Sequence, residues 1–140
     1  MVDQGMVPDY ERGTNRNVLI IEKDPLQAYL LQVTLREAGW VVQLADTPAE
    51  GLRYCENDLF DAAITNYCYP DGTNGFCLGQ SLQTQFHLPS IMITASRLIE
   101  LTRCFHFNPK QKILFKPYEL HKAKQLLERM TANSLVSPFY

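Results

Sequence analysis

Asn66 closes the strand-like run Asp61-Ala62-Ala63-Ile64-Thr65 and opens onto a loop that carries Pro70, Gly72 and Gly75. In open α/β sheets, reaction sites gather at the carboxyl ends of strands. An aspartate at such a point can act as a nucleophile and become a covalent phosphate acceptor. An asparagine amide is neutral and weakly nucleophilic, so Asn66 predicts that no aspartyl phosphate forms there. Other polar residues stand at equivalent points. Glu22, Lys23 and Asp24 follow the apolar run Val18 to Ile21, Thr94 ends the run from Ser90, and Lys116 and Pro117 follow Lys112 to Phe115.

The elements that must position these residues alternate between strand and helix. Val18-Leu19-Ile20-Ile21 reads as a strand buried on both faces. Asp24-Pro25 then opens a helix, with Asp24 as cap, Pro25 at the first helical position and Gln27 completing a capping box. Leu26, Leu30 and Val33 recur on one helical stripe, and Gly39 ends the run. Trp40 to Leu44 is the second strand. Thr47-Pro48-Ala49-Glu50 is a second capping box, opening a helix to about Cys55. Asp61 to Thr65 is the third strand, and Asn74 caps a helix through Leu82. Ser90 to Thr94 is the fourth strand, followed by a helix from Ser96 to about Phe105. Lys112 to Phe115 is the fifth strand, and Pro117 opens a last helix with Leu120, Ala123, Leu127 and Met130 on one stripe.

Five such units in series predict an α/β fold: a doubly wound, five-stranded parallel sheet with helices on both faces. Residues 1–16 read as a flexible N-terminal tail, 17–131 as the domain and 132–140 as a C-terminal tail.

A chain of 140 residues is long enough to bury a core. With 46% hydrophobic and 20% charged residues it reads as an ordinary soluble globule. A net charge of −2 with no basic block gives no sign of nucleic-acid binding. No apolar run is long enough for a bilayer, and the N-terminus lacks a signal-peptide layout, so the expected location is cytoplasmic. Cys55, Cys68, Cys77 and Cys104 form no C-x-x-C pair and no metal-ligand spacing with His87, His106 or His121. Reduced thiols and no metal site are therefore expected.

The ordered set Glu22, Asn66, Thr94 and Lys116-Pro117 resembles the receiver domain of two-component response regulators, over roughly Asn17 to Met130. The resemblance implies an acidic pair that holds magnesium and an aspartate that takes a phosphoryl group from a histidine kinase. It also implies a Ser/Thr that reorients toward the phosphate, a lysine that contacts it, and an aromatic switch on the fifth strand. Glu22 keeps one acid of the pair and Lys23 replaces the other. Asn66 replaces the acceptor. Thr94 keeps the hydroxyl position, and Ile113 stands at the aromatic switch. The loop from Pro70 to Gly75 is one residue longer than the family spacing.

A usual site of three carboxylates and one lysine carries −2, whereas Glu22, Lys23 and Lys116 together carry +1. Two like unit charges at ~4 Å repel by roughly 4 kcal/mol in a surface-like dielectric. Lys23 is thus expected to take the cation's place beside Glu22 or the Asn66 amide, or else to lie in solvent. Lys116 is expected to bond the Asn66 side-chain oxygen. Thr94 is read either as a retained switch or as a strand-end hydroxyl bonding backbone. Tyr67 and Tyr69 are read either as a contact surface or as packing over the site.

The leading expectation is a pseudo-receiver: no enzyme, no cofactor, and a function through protein contacts with a histidine kinase, an effector or a second copy. The resemblance places the contact face at Arg97, Glu100, Arg103, Lys112, Tyr118, His121 and Lys124. The alternatives are a working response regulator with an unusual acceptor, or a small flavodoxin-like ligand binder.

Overall fold

The computed structural model of the chain describes residues 16–95 and 112–135. Five strands form one parallel sheet: β1 (Asn17–Ile21), β2 (Val41–Ala45), β3 (Ala62–Asn66), β4 (Ser90–Thr94) and β5 (Lys112–Phe115). Their spatial order is β2-β1-β3-β4-β5. Four helices among the described residues, α1 (Pro25–Glu37), α2 (Pro48–Asn57), α3 (Gly75–Phe86) and α4 (Leu120–Leu135), cover the sheet. The expected doubly wound α/β architecture is what forms. The helix expected from Ser96 to about Phe105 lies outside the described residues.

Alternation within the strands builds the two layers. Val18 and Ile20 pack on one side with Leu31, Leu35, Ala123 and Leu127 of α1 and α4. Leu19 and Ile21 point the other way and pack with Cys55, Leu78 and Leu82 of α2 and α3. Both faces are dry, which is why β1 reads as an unbroken apolar run. Each such side chain contributes roughly 1.5–3 kcal/mol by leaving water.

Four details depart from the sequence reading. Helix α1 buries Ala28, Leu31 and Leu35 rather than the stripe through Leu26, Leu30 and Val33, and Leu26 is 61% exposed. Pro117 does not open α4: it follows a cis Lys116–Pro117 peptide, and the helix starts at Leu120. That helix runs to Leu135, past Ala132, where a tail was expected.

The fourth departure is Arg16, which belongs to the folded body and not to a tail. Its guanidinium donates to the Ala38 carbonyl at 3.1 Å and pairs with Glu128 at 3.3 Å. It also lies 5.4 Å from the Trp40 ring centroid. Its own carbonyl accepts from Val41 N at 2.7 Å. One residue thus ties the entrance of β1 to the end of α1, the start of β2, and α4.

Candidate functional site

Local capping aims three loops at the carboxyl ends of the strands. After β1, Asp24 Oδ1 accepts from Leu26 N at 3.0 Å, so Asp24 caps α1 as expected. The Gln27 half of that box does not form, because Asp24 N donates instead to Glu22 Oε2 at 2.9 Å. After β2, Thr47 Oγ1 accepts from Glu50 N at 3.1 Å, and Glu50 returns the bond to Asp46 N rather than to Thr47. After β3, Asn74 Oδ1 accepts from Phe76 N and Cys77 N, capping α3.

The loops after β1 and β3 border an open cavity of about 400 Å³ lined by Glu22, Lys23, Asp24, Pro25, Asn66, Cys68, Tyr69 and Pro70. A second cavity of about 300 Å³ shares Lys23, Tyr69 and Pro70 and adds Asp46, Thr47, Pro48 and Asp71. Glu22 is buried, at 7% exposure, while Lys23 stands in solvent. The sequence puts Asp24 at the end of the first strand as a helix cap, outside the charge count. Asp24 lines the first cavity, and Lys116 does not. Two carboxylates and one ammonium leave that lining at −1, not the +1 counted from Glu22, Lys23 and Lys116.

Lys23 takes the solvated alternative, and Lys116 does not take the role expected of it. Lys23 makes no hydrogen bond or ion pair with Glu22 or Asn66. The Lys116 side chain is exposed and makes no bond to the Asn66 oxygen; only its backbone N–H is engaged, on Thr94 O at 2.8 Å. Solvation explains both, since a long flexible ammonium loses hydration and rotamer freedom when it is drawn into a half-buried pocket. Thr94 is 3% exposed at the end of β4. Ile113 pairs in register with Met92 and packs beside Phe76 and Met92, with Tyr67 on the same cluster.

Tyr69 is the site residue that sequence reasoning undervalued. It is 6% exposed, so it offers no contact surface. Its hydroxyl accepts from Asn66 N at 2.7 Å and donates to Ile21 O at 2.9 Å. It therefore stands between the last residues of β1 and β3. Burial raises its phenol well above the ordinary range, with the Glu22 and Asp71 charges adding to the shift and the Asn66 N–H opposing it. The only sequence signal was a bulky hydroxyl-bearing ring immediately before Pro70. Tyr67 stacks edge-on against Phe76, with centroids 6.0 Å apart. In the loop, Asp71 accepts from Thr73 N at 2.8 Å, which holds its fully exposed carboxyl below the usual range.

Four of the seven residues of the expected contact face lie among the described residues. Arg97, Glu100 and Arg103 lie outside the described residues. Lys112 and His121 are exposed, and His121 sits 3.2 Å from Glu119. Lys124 pairs with Glu128 at 3.6 Å. Tyr118 does not present its hydroxyl: that atom is buried without a hydrogen-bond partner, and burial, with the Glu22 charge behind it, pushes the phenol up to about 12.

The donor set does not fit a magnesium ion. Magnesium asks for oxygen ligands in near-octahedral geometry. Here one Glu22 oxygen is held by Asp24 N, one Asp24 oxygen by Leu26 N, and the next side chain is an ammonium. Among the described residues, no group of three or more His, Cys, Asp or Glu side chains comes together to hold a metal.

Comparison with known proteins agrees with this geometry at the level of fold and family. The family model for the response regulator receiver domain matches residues 18–129. The non-phosphorylated HemR receiver domain from Leptospira biflexa is 28% identical, with a TM-score of 0.72 over 89% of this chain and 99% of that chain. A response regulator receiver protein from Sinorhizobium medicae is 15% identical, with a TM-score of 0.75 over 85% and 96%. The receiver domain of sensor histidine kinase PA1611 from Pseudomonas aeruginosa is 21% identical, with a TM-score of 0.69 over 85% and 99%. That structure holds a magnesium ion coordinated in its active site cleft.

Proposed function

We propose a function on the premise that this chain belongs to the response regulator receiver domain family of two-component signalling: it is a pseudo-receiver that signals by protein contact and accepts no phosphoryl group. One observation carries the proposal. The cavity at the strand ends presents the Asn66 amide and the Lys23 ammonium beside a single buried acid, Glu22. The amide has no anionic oxygen to attack phosphorus. A lysine in the second acidic position supplies no oxygen to the ion that would shield the incoming phosphate. Without those groups the domain is no enzyme and catalyses no transfer to itself.

Its message is then its surface. The partner is a histidine kinase, an effector or a second copy of the chain, met through the face that includes Lys112, His121 and Lys124. No helix among the described residues is long and apolar enough to cross a membrane. We assign the protein to the cytoplasm on the family's signalling role.

The test is direct. The purified chain is incubated with acetyl phosphate and magnesium, and its intact mass is measured. No mass gain is expected. Gain of one acid-labile phosphoryl group would identify a working response regulator with a different acceptor and overturn the proposal.

A further inference from the structure

We infer that Tyr69 is a positioning residue, whose hydroxyl holds the ends of β1 and β3 too far apart for the mouth of the sheet to grip a small divalent ion. This deepens the proposed function, because it makes the site unreceptive for a reason separate from Asn66 and Lys23.

The geometry is a two-bond relay. Asn66 N–H donates to the Tyr69 oxygen at 2.7 Å, and the Tyr69 O–H donates to Ile21 O at 2.9 Å. With a near-tetrahedral angle at the hydroxyl, amide and carbonyl lie roughly 4.7 Å apart, about 2 Å beyond a direct bond. The β1–β3 register runs Val18↔Ala62, Leu19↔Ala63 and Ile20↔Ile64, so this relay falls just past the last ladder pair. The residue after Ile21 is Glu22, the remaining acid, and the other end of the relay is Asn66 itself. The hydroxyl therefore sets the spacing between the acid-bearing strand end and the residue at the acceptor position.

Little around Tyr69 yields. Its ring is 6% exposed and packs with Leu19, Ile21, Ala45 and Leu78. Its own N–H donates to Thr73 O at 3.2 Å and its carbonyl accepts from Gly72 N at 2.9 Å. Magnesium binds ligands at about 2.0–2.1 Å and tolerates little distortion. A spread of about 2 Å at the strand ends is large on that scale, so restoring carboxylates alone leaves them misplaced.

Two measurements test this. The first needs no metal. Through-hydrogen-bond coupling between the Asn66 amide nitrogen and the Ile21 carbonyl carbon is recorded by NMR in the wild type and in Tyr69→Leu. It is expected to be absent in the wild type and present in the variant, where the strands close to a direct bond. Coupling in the wild type, or none in a folded variant, overturns the inference.

The second compares magnesium titrations of Lys23→Asp/Asn66→Asp with and without Tyr69→Leu. Residues that orient ligands from behind typically change affinity 10–100-fold. Removing the hydroxyl is thus expected to tighten binding by at least about tenfold, and equal affinities overturn the inference. Phosphorylation of the wild-type chain would sink the proposed function while leaving both of these readouts intact.

Discussion

Replacing Gly75 with alanine tests how firmly the loop after Asn66 is bound to α3. The new Cβ would run into the Asn66 carbonyl oxygen, and would lie 2.8 Å from Met92 Sδ and 2.9 Å from Tyr67 Cα. Two of these three obstacles are backbone. The loop cannot simply retreat, because Gly75 N–H is held on Tyr67 O at 2.5 Å. Overpacking costs about 1–3 kcal/mol, and losing the attached hydrogen bond adds about 1. A loss of about 3 kcal/mol is therefore expected, a large share of the roughly 5–15 kcal/mol that holds a domain folded.

Gly51→Ala provides the internal comparison. There the Cβ meets the end of the Ile21 side chain, with Cγ1 at 2.8 Å, and a side chain can change rotamer. Its cost is expected to be about 1–2 kcal/mol. Urea unfolding followed by fluorescence of Trp40, the chain's single tryptophan, measures both. A Gly75→Ala variant within about 0.5 kcal/mol of wild type, or one less damaged than Gly51→Ala, would refute the claim that backbone contact around Asn66 is unyielding.

Two further outcomes follow from groups away from the cavity. Arg16→Ala is expected to cost about 1–2 kcal/mol in urea unfolding, through loss of the Ala38 hydrogen bond, the half-exposed pair with Glu128 and the contact over Trp40. Arg16→Lys should recover less than half of it. Alkaline pH should also weaken the fold. Burial raises the Cys55 thiol from 9.0 to about 11 and the Tyr118 phenol from 10.0 to about 12. Above pH 9 the unfolded chain ionises Cys55 while the folded chain keeps its proton, so the unfolded state binds fewer protons and stability falls with rising pH. The decline should begin near pH 9 and steepen above pH 10, where Tyr118 and Tyr69 add to it, read from urea midpoints. Cys55→Ala should remove its lower part.

Much of the architecture was legible because it depends on local chemistry. Unbroken apolar runs bounded by Asp24-Pro25, Thr47-Pro48 and Asn74 announce strands followed by capped helices, and those caps form. The stripe of α1 was misread because Leu26, Tyr29, Leu30, Leu31, Val33 and Leu35 surround the helix with apolar side chains. Only the position of the sheet decides that Leu31 and Leu35 go in while Leu26 and Tyr29 stay out. Arg16 was misread, and Tyr69 was left open between surface and packing, for a different reason. Their partners lie far along the chain: Arg16 reaches Glu128, 112 residues on, and Tyr69 reaches Ile21, 48 residues back. A polar residue near a terminus and a tyrosine in a loop carry no periodic mark of such contacts.

The same gap between local and long-range information altered the electrostatic reasoning about the cavity. The charge count from the sequence included Lys116 and omitted Asp24; in the structure the lining holds Asp24 and not Lys116. The lining is then mildly negative, and net charge alone no longer repels a cation. What opposes a divalent ion is the supply of free oxygens. Glu22 and Asp24 each commit one carboxylate oxygen to a backbone N–H, and Asn66 adds only a neutral carbonyl. An ammonium at position 23 matters chiefly as a missing carboxylate, since its own charge is exposed to solvent and screened there. The proposed inertness of this receiver therefore rests on ligand type and strand spacing rather than on a reversed sign of the field.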